Sequence, residues 1–458
     1  MPSTNFGMKT AEHKSSPMSS SPSMFKPRKS TLPHTVGSNN GFVIWIAEVV
    51  GGIIRICCVS VTPYGVTLLN GQAGNSGVLN QLTSTLKSYN ISLLDLAVHE
   101  LGSIPVDVFQ GLNLLGLIVT SAGILEIPPE AFSGLQTSLT ALGMPSNNLT
   151  TVPSMAIKPL RLLQRLDISD NLIKELLPRA FPTLLGLEQL TLAGNGLRLL
   201  HPEAFVRLPN LESLDLARNQ LDAAQINERS LRGLHSLKHL SLKSNLLKGP
   251  LIPTLITGAK GLISLDLSEN AITAISRGAL GLCPDLRELD LSHNQIDVIE
   301  DHAFVNLSEL RDLKLSHNRV VAVSGWSLAH LSRLEHLAMA DNALRAVTAD
   351  LLHQLTHLTT LDLAANDISL LQPHVFNNTL HLQHITLEDN PLHCDCNLAW
   401  LGAWLRSHST LHSEERAGAV CATPIILENA PVNMQNNSNF ICFFRGTFLN
   451  IHQKYLKN

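Results

Sequence analysis

Aromatic residues are scarce in this chain, at 4% of 458 residues, and charged residues are few, at 15%. So few rings argue against one large globular core and for a short unit copied many times. A basic excess is also lacking, since 33 Lys and Arg face 37 Asp and Glu, a formal charge of −4. Neutralising phosphates takes a basic field that neither this composition nor any clustering in it supplies, so nucleic acid is not expected as a partner. No HExxH, phosphate loop, nucleophile elbow or dinucleotide fingerprint is present, so no catalytic residues, no enzyme activity and no cofactor are expected. His353 and His357 have the i,i+4 spacing of helix-borne metal ligands, but no third ligand accompanies them and no metal site is expected.

Cysteines number seven, and Cys394, Cys396, Cys421 and Cys442 gather in the last quarter of the chain. That grouping suggests disulfides. A zinc site from the same four is the alternative, although C-x-C followed by widely separated single cysteines lacks the paired knuckles of structural zinc. Glycosylation sequons at Asn90, Asn148, Asn306, Asn377 and Asn436 fit passage through a secretory compartment. Cys283, within Leu282-Cys283-Pro284, reads as a buried or semi-buried free thiol in a convex loop.

Residues 1–40, rich in Ser, Pro and Lys, lack the apolar periodicity that offsets chain entropy and read as disordered. An apolar segment over 41–62 comes next, with FVIWIAEVVGGIIRICCVSV at its heart. Its length suits a signal peptide or an uncleaved signal anchor, but it carries Glu48 and Arg55, and a buried strand pair covering the first repeat is the competing reading. Residues 63–90 read as a degenerate N-terminal cap.

Between 91 and 390 the chain repeats the unit L-x-x-L-x-L-x-x-N-x-L-x-x-L. The asparagines are Asn147, Asn171, Asn195, Asn219, Asn245, Asn270, Asn294, Asn318, Asn342, Asn366 and Asn390. His99 and Gly123 fall at the same position in two weaker units, giving about 13 repeats. Leucines alternating with polar residues have the period of a half-buried strand, and stacked units make a parallel sheet. The Asn leaves each strand where only a short amide can both donate to and accept from buried backbone groups. Phe109, Phe132, Phe181, Phe205, Phe304 and Phe376 follow their anchors by nine or ten residues and read as interior filling. At about 4.8 Å per strand the concave face would run roughly 60 Å, long enough for a macromolecule.

Positions six, four, two and one before each Asn face outward from that sheet, and they hold twelve acids against four bases, a balance of −8. Asp266, Glu288, Asp290 and Asp312 form the densest group and are the candidate ligand-binding residues, suited to a basic protein surface. Histidines near them, His239, His293, His317 and His336, are expected to gain protons readily from this negative field. Neither Tyr nor Trp occupies these positions, so the usual aromatic anchors of an interface are missing.

An open end of such a stack would expose core leucines. Residues 391–442, with Trp400 and Trp404 on a short amphipathic helix, would close it, leaving a tail of 443–458. Together the Asn-anchored units and the cysteine-rich end resemble the extracellular leucine-rich-repeat family of the 24-residue type, which includes Slit-like, Toll-like and neuronal adhesion proteins. The resemblance implies a right-handed curved α/β solenoid with a parallel concave sheet and a disulfide-bonded C-terminal cap. It also implies pairing of Cys394 with Cys421 and of Cys396 with Cys442. A secreted or cell-surface protein acting in adhesion, signalling or guidance is the function it implies, with an innate-immune recognition ectodomain or a structural matrix protein as alternatives. The expected partner is a protein ligand or cell-surface receptor, and the expected membrane link is a signal anchor or a further C-terminal segment. Family members usually carry four cysteines in the N-terminal cap, whereas only Cys57 and Cys58 lie in that region here.

Overall fold

The computed structural model describes residues 101–408 apart from 225, 227 and 228, with 42–50, 53–62, 65–71, 79–80, 83–84, 86–87, 91–98, 411, 418–434, 443–444 and 447–448. Alternating leucines produce short strands that stack into one 16-stranded sheet. Its last thirteen strands, from Leu93–Val98 to His384–Thr386, run parallel, one from each turn of a solenoid. Register is set by the middle residue. Leu265, Leu289, Leu313, Leu337 and Leu361 pair in sequence across adjacent strands and are buried, while the residues on either side of each point outward. A slip of one residue would turn the leucines outward, so the buried row itself fixes the alignment.

Where the chain leaves each strand, the asparagines form a continuous ladder. Asn294 donates from Nδ2 to the carbonyls of Leu267 and Leu291, both at 3.0 Å, and of Ser292 at 3.2 Å, while its Oδ1 accepts the Ile272 amide at 3.0 Å. All eleven anchors accept a backbone amide from the preceding turn in the same way, from Asn147 to Asn390. An aspartate could accept but not donate, which is why the position is occupied by an amide.

The opposite side is filled by the phenylalanines. All six are buried, Phe109 against Phe132 with centroids 6.5 Å apart and Phe181 against Phe205 at 5.9 Å. Each buried ring contributes on the order of 1.5–3 kcal/mol by removal from water.

Both ends of the sheet are flanked by non-repeat structure. Phe42–Val50 and Ile53–Thr62 pair antiparallel, Gly65–Gly71 adds a third antiparallel strand, and that strand runs parallel to Leu93–Val98. The apolar segment 41–62 includes this strand pair. In the register of that pair Glu48 stands opposite Arg55. Among the described residues no helix is long and apolar enough to cross a membrane. At the far end, helix Ala399–Ser407 buries Leu401 and Leu405, and Trp404 sits 4.6 Å from Phe376 of the last turn. Leu392–His393 pairs with Cys421–Thr423, and Cys394 is bonded to Cys421 with the Cα atoms 5.6 Å apart. Cys396 is also disulfide-bonded, but Cys442, expected as its partner, lies outside the described residues.

Candidate binding face

Outward-facing side chains of the thirteen strands make a continuous surface on the concave side. The four candidate acids meet at its middle. Asp266 pairs in register with Asp290, and Glu288 with Asp312. Two like-charged pairs thus stand on adjacent strands about 4.8 Å apart.

Their local roles differ. Asp290 accepts from the Ser292 amide at 2.9 Å and hydroxyl at 2.5 Å, and Asp266 does the same with Ser268 at 2.9 and 2.6 Å. Asp167, Asp215 and Asp362 likewise accept the amide two residues on. An aspartate four before the Asn therefore caps the start of the turn as well as contributing charge. Lys314 also reaches Asp290, at 3.8 Å. Glu288 and Asp312, in contrast, make no ion pair among the described residues. Burial raises the Asp312 carboxyl above its ordinary range, and Glu288 and Asp290 push it further, against the lowering effects of Lys314 and His336.

Residues immediately before each Asn add a second row that the repeat pattern did not reveal. From Ser146 to Asp389 these positions are left-handed, with φ of 55° at Glu269 and 54° at His293. Non-glycine residues adopt that conformation at a cost of about 1–2 kcal/mol, which the fixed ladder on either side offsets. Side chains held this way lie across neighbouring turns. Glu269 reaches back to Lys243 at 2.9 Å and to the Ser244 hydroxyl; these hydrogen bonds, Ser244 first, hold its carboxyl below the usual range. Arg218 reaches Asp170 at 3.0 Å, two turns away, passing over Gly194. A methyl group on Gly194 would overlap the Asp170 carboxylate, so glycine leaves the space through which this pair closes. Three of the four concave bases are thereby committed to acids of the same face.

Histidine behaviour corrects an expectation. His293 and His317 stack, with centroids 4.0 Å apart and planes 12° from parallel, and His317 bonds Asp341 through Nδ1. His293 is held below the ordinary imidazole range, first by burial and then by repulsion from His317, and Glu269 and Asp290 only partly offset these effects. It resists protonation instead of gaining it readily. The physical reason is partial desolvation of the ring together with the neighbouring His317 on which it stacks.

The remaining candidates lie apart from this face. His357 hydrogen-bonds the Ser332 carbonyl at 2.8 Å and His353 contacts Asn378, so the two do not converge, and among the described residues no group of three metal-ligating side chains is found. Cys283 is a fully buried free thiol contacting the Ala259 carbonyl at 3.4 Å, and burial pushes it up to about 11, which keeps it protonated and unreactive. Asn148, Asn306 and Asn377 are exposed; Asn90 and Asn436 lie outside the described residues.

Comparison with known families matches the leucine rich repeat at residues 137–197, 161–221, 185–247, 251–296 and 284–344, and a second leucine rich repeat profile at 354–370. Among solved structures, a chain of the octameric complex of Latrophilin 3, Unc5D and FLRT2 (LRR) is 23% identical with a TM-score of 0.59, covering 68% of this chain and 91% of that one. The Toll–Spatzle complex of Drosophila gives 22% and 0.61, covering 79% and 56%. The TLR13–ssRNA13 complex gives 22% and 0.57, covering 76% and 57%. At such identities the likeness shows the fold, and the chain spans little more than half the length of the latter two. No curated protein matches the sequence.

Proposed function

Because this chain belongs to the leucine-rich-repeat proteins, we propose that it is an extracellular binding protein whose concave face takes a basic protein surface. Its business is recognition, in adhesion, signalling or guidance, and not catalysis. The observation that carries this reading is the Glu288–Asp312 pair. Two carboxylates stand in register at the centre of the face with no base between them, while Asp170, Glu269 and Asp290 are already matched by Arg218, Lys243 and Lys314. Two unit charges about 4.8 Å apart repel by roughly 0.9 kcal/mol in water, and more where solvent is thinned, so an incoming Lys or Arg relieves a standing cost. The site proposed is Asp266, Glu288, Asp290 and Asp312.

An extracellular setting is supported by the bonded Cys394 and Cys421, since such bridges persist in oxidising compartments, and by the exposed sequons at Asn148, Asn306 and Asn377. Relatives in fold are seen with protein partners, FLRT2 with Latrophilin 3 and Unc5D, and Toll with Spatzle. The test is a screen of the secreted, tagged protein against a panel of cell-surface and secreted proteins. Wild type is compared with a variant carrying Asp266→Asn, Glu288→Gln, Asp290→Asn and Asp312→Asn. The reading expects saturable, salt-sensitive binding to a partner with a basic surface, weakened at least tenfold in the variant. Partners bound equally by both proteins would remove the concave acids from the function.

A further inference from the structure

Charge on the convex side is distributed in the opposite way. Consider the eleven residues that end eight positions before each anchor. In the five turns leading to Asn171, Asn195, Asn219, Asn245 and Asn270 these stretches hold seven Lys and Arg against Glu203 and Glu228. In the next five turns they hold Arg277 and Arg333 against Asp285, Glu300, Asp301, Glu309 and Asp350. The basic residues absent as a cluster in the linear sequence are brought together by the solenoid on the outer side of its N-terminal half.

They line two recesses. One, of about 620 Å³, is bordered by Lys158, Arg161, Arg179 and Arg207 with Ser154 and Thr183. The second, of about 790 Å³, is bordered by Arg229, Arg232, His235 and Lys260 with Thr257. The recesses adjoin. Gly233 of the second packs on Val206, next to Arg207 of the first, so closely that an added methyl would stand 2.9 Å from the Val206 Cα. The Glu203 amide, in turn, meets the Arg229 carbonyl at 3.5 Å. All seven basic side chains are exposed, and Lys158, Arg161, Arg207, Arg232 and Lys260 make no ion pair among the described residues. Arg179 is held by Glu203 at 3.6 Å. Exposed cations without acid partners, arrayed over consecutive turns, make a linear anion-binding track.

We propose that this convex track binds a linear sulfated polysaccharide. Guanidinium forks match sulfate and carboxylate oxygens in pairs, and the Ser and Thr hydroxyls between them suit sugar hydroxyls. Exposed Met155 and Leu185 beside the first recess offer apolar contact to ring faces. Single-stranded nucleic acid is served less well, because base stacking along a strand needs several exposed rings, whereas Phe181 in the first recess is fully buried and the second offers only the His235 imidazole. A bilayer is also a poorer fit, since a flat sheet meets a convex surface along one line and cannot enter recesses.

The test is binding of the full secreted chain to heparin, with desulfated heparin, polyuridylate RNA, polyglutamate and phosphatidylserine vesicles as competitors. A convex variant carries Arg161→Glu, Arg207→Glu and Arg232→Glu, and a milder one carries Gln at the same positions so that loss of folding is separated from loss of charge. The expected result is heparin binding at physiological salt that falls at least tenfold in both variants, loses much of its salt dependence, and is unchanged by neutralising the four concave acids. Failure of folded wild type to bind heparin, full retention by both variants, or equal competition by RNA, polyglutamate or vesicles would overturn the assignment. None of these outcomes bears on the concave reading, which concerns a different ligand and a different face.

Discussion

The two sides of the solenoid are built from the same repeat yet use charge differently. On the concave side most basic groups are matched by acids one or two turns away, as Arg218 is by Asp170 and Lys243 by Glu269, and the net excess is negative. On the outer side of the N-terminal half, five cations have no such partners among the described residues. Neighbouring concave positions lie about 4.8 Å apart, close enough for side chains of adjacent turns to find one another. The outer stretches of the N-terminal half differ in supply, holding seven bases against two acids, so most of their cations have no acid to meet. On the inner face three of the four bases are answered by acids of the protein itself, which leaves Glu288 and Asp312 unmatched among the described residues, whereas on the outer side of the N-terminal half five of seven bases are left for solvent or a ligand.

The largest effect should separate the outer side's interior from its surface. Phe205→Ala should cost about 3–5 kcal/mol by opening a cavity beside Phe181, whereas Arg207→Ala, two residues on, should change stability by no more than about 0.5 kcal/mol. Denaturant unfolding of both variants checks this, and similar midpoints would mean that the ring row is not the convex core. Next comes the ladder that divides the two sides. Asn294→Ala should cost about 1–3 kcal/mol because the Ile272 amide and the Leu267 and Leu291 carbonyls lose their partner, while Asn377→Ala, at an exposed site, should be nearly neutral.

Smaller effects dissect the concave acids. Asp290 both caps the Ser292 backbone and carries charge, and the two roles part under substitution. Asp290→Asn keeps an acceptor and should hold stability near wild type, whereas Asp290→Ala should lose about 0.5–1.5 kcal/mol. Thermal melts that rank the two variants alike would contradict the capping role. The smallest effect concerns pH. His293 has a folded value below its ordinary 6.5, so the unfolded chain takes up the proton first as pH falls, and stability declines from near 6.5 downward to the lowered value. Asp167, Asp215 and Asp312 act with the opposite sign. Their raised values make the folded state gain stability as pH falls through them toward 3.8. Unfolding at about pH 7.5 and 5.5 should show a slope that His293→Gln reduces, and an unchanged slope would place the shift elsewhere.

Much of the fold was legible because the repeat states its own physics. Leucine alternation, the Asn at the strand exit and the nine- or ten-residue offset of the phenylalanines each specify a buried position, and Leu289, Asn294 and Phe304 occupy the positions their spacing implied. The candidate acids could be placed on one face for the same reason. Less was legible where partners come from other turns at irregular offsets. Arg218 meets Asp170 only because Gly194 between them lacks a side chain, and desolvation of His293 together with its neighbour His317 outweighs the influence of the surrounding acids. The Asp-x-Ser spacing of Asp266 with Ser268 and Asp290 with Ser292 was a readable sign of capping. The convex cations were the hardest to see, since Arg161, Arg207 and Arg232 lie far apart in sequence and only the coil of the solenoid gathers them.

The division of labour between the two sides is tested most directly by measuring affinity for the protein partner with each side altered separately. With a partner from the screen in hand, wild type, the concave variant with four neutralised acids and the convex variant with three reversed arginines are titrated at low and physiological salt. The account predicts that the concave variant loses at least tenfold, about 1.4 kcal/mol or more, and most of its salt dependence, while the convex variant binds as wild type does. Unchanged affinity in the concave variant, or an equal loss in both, would contradict it.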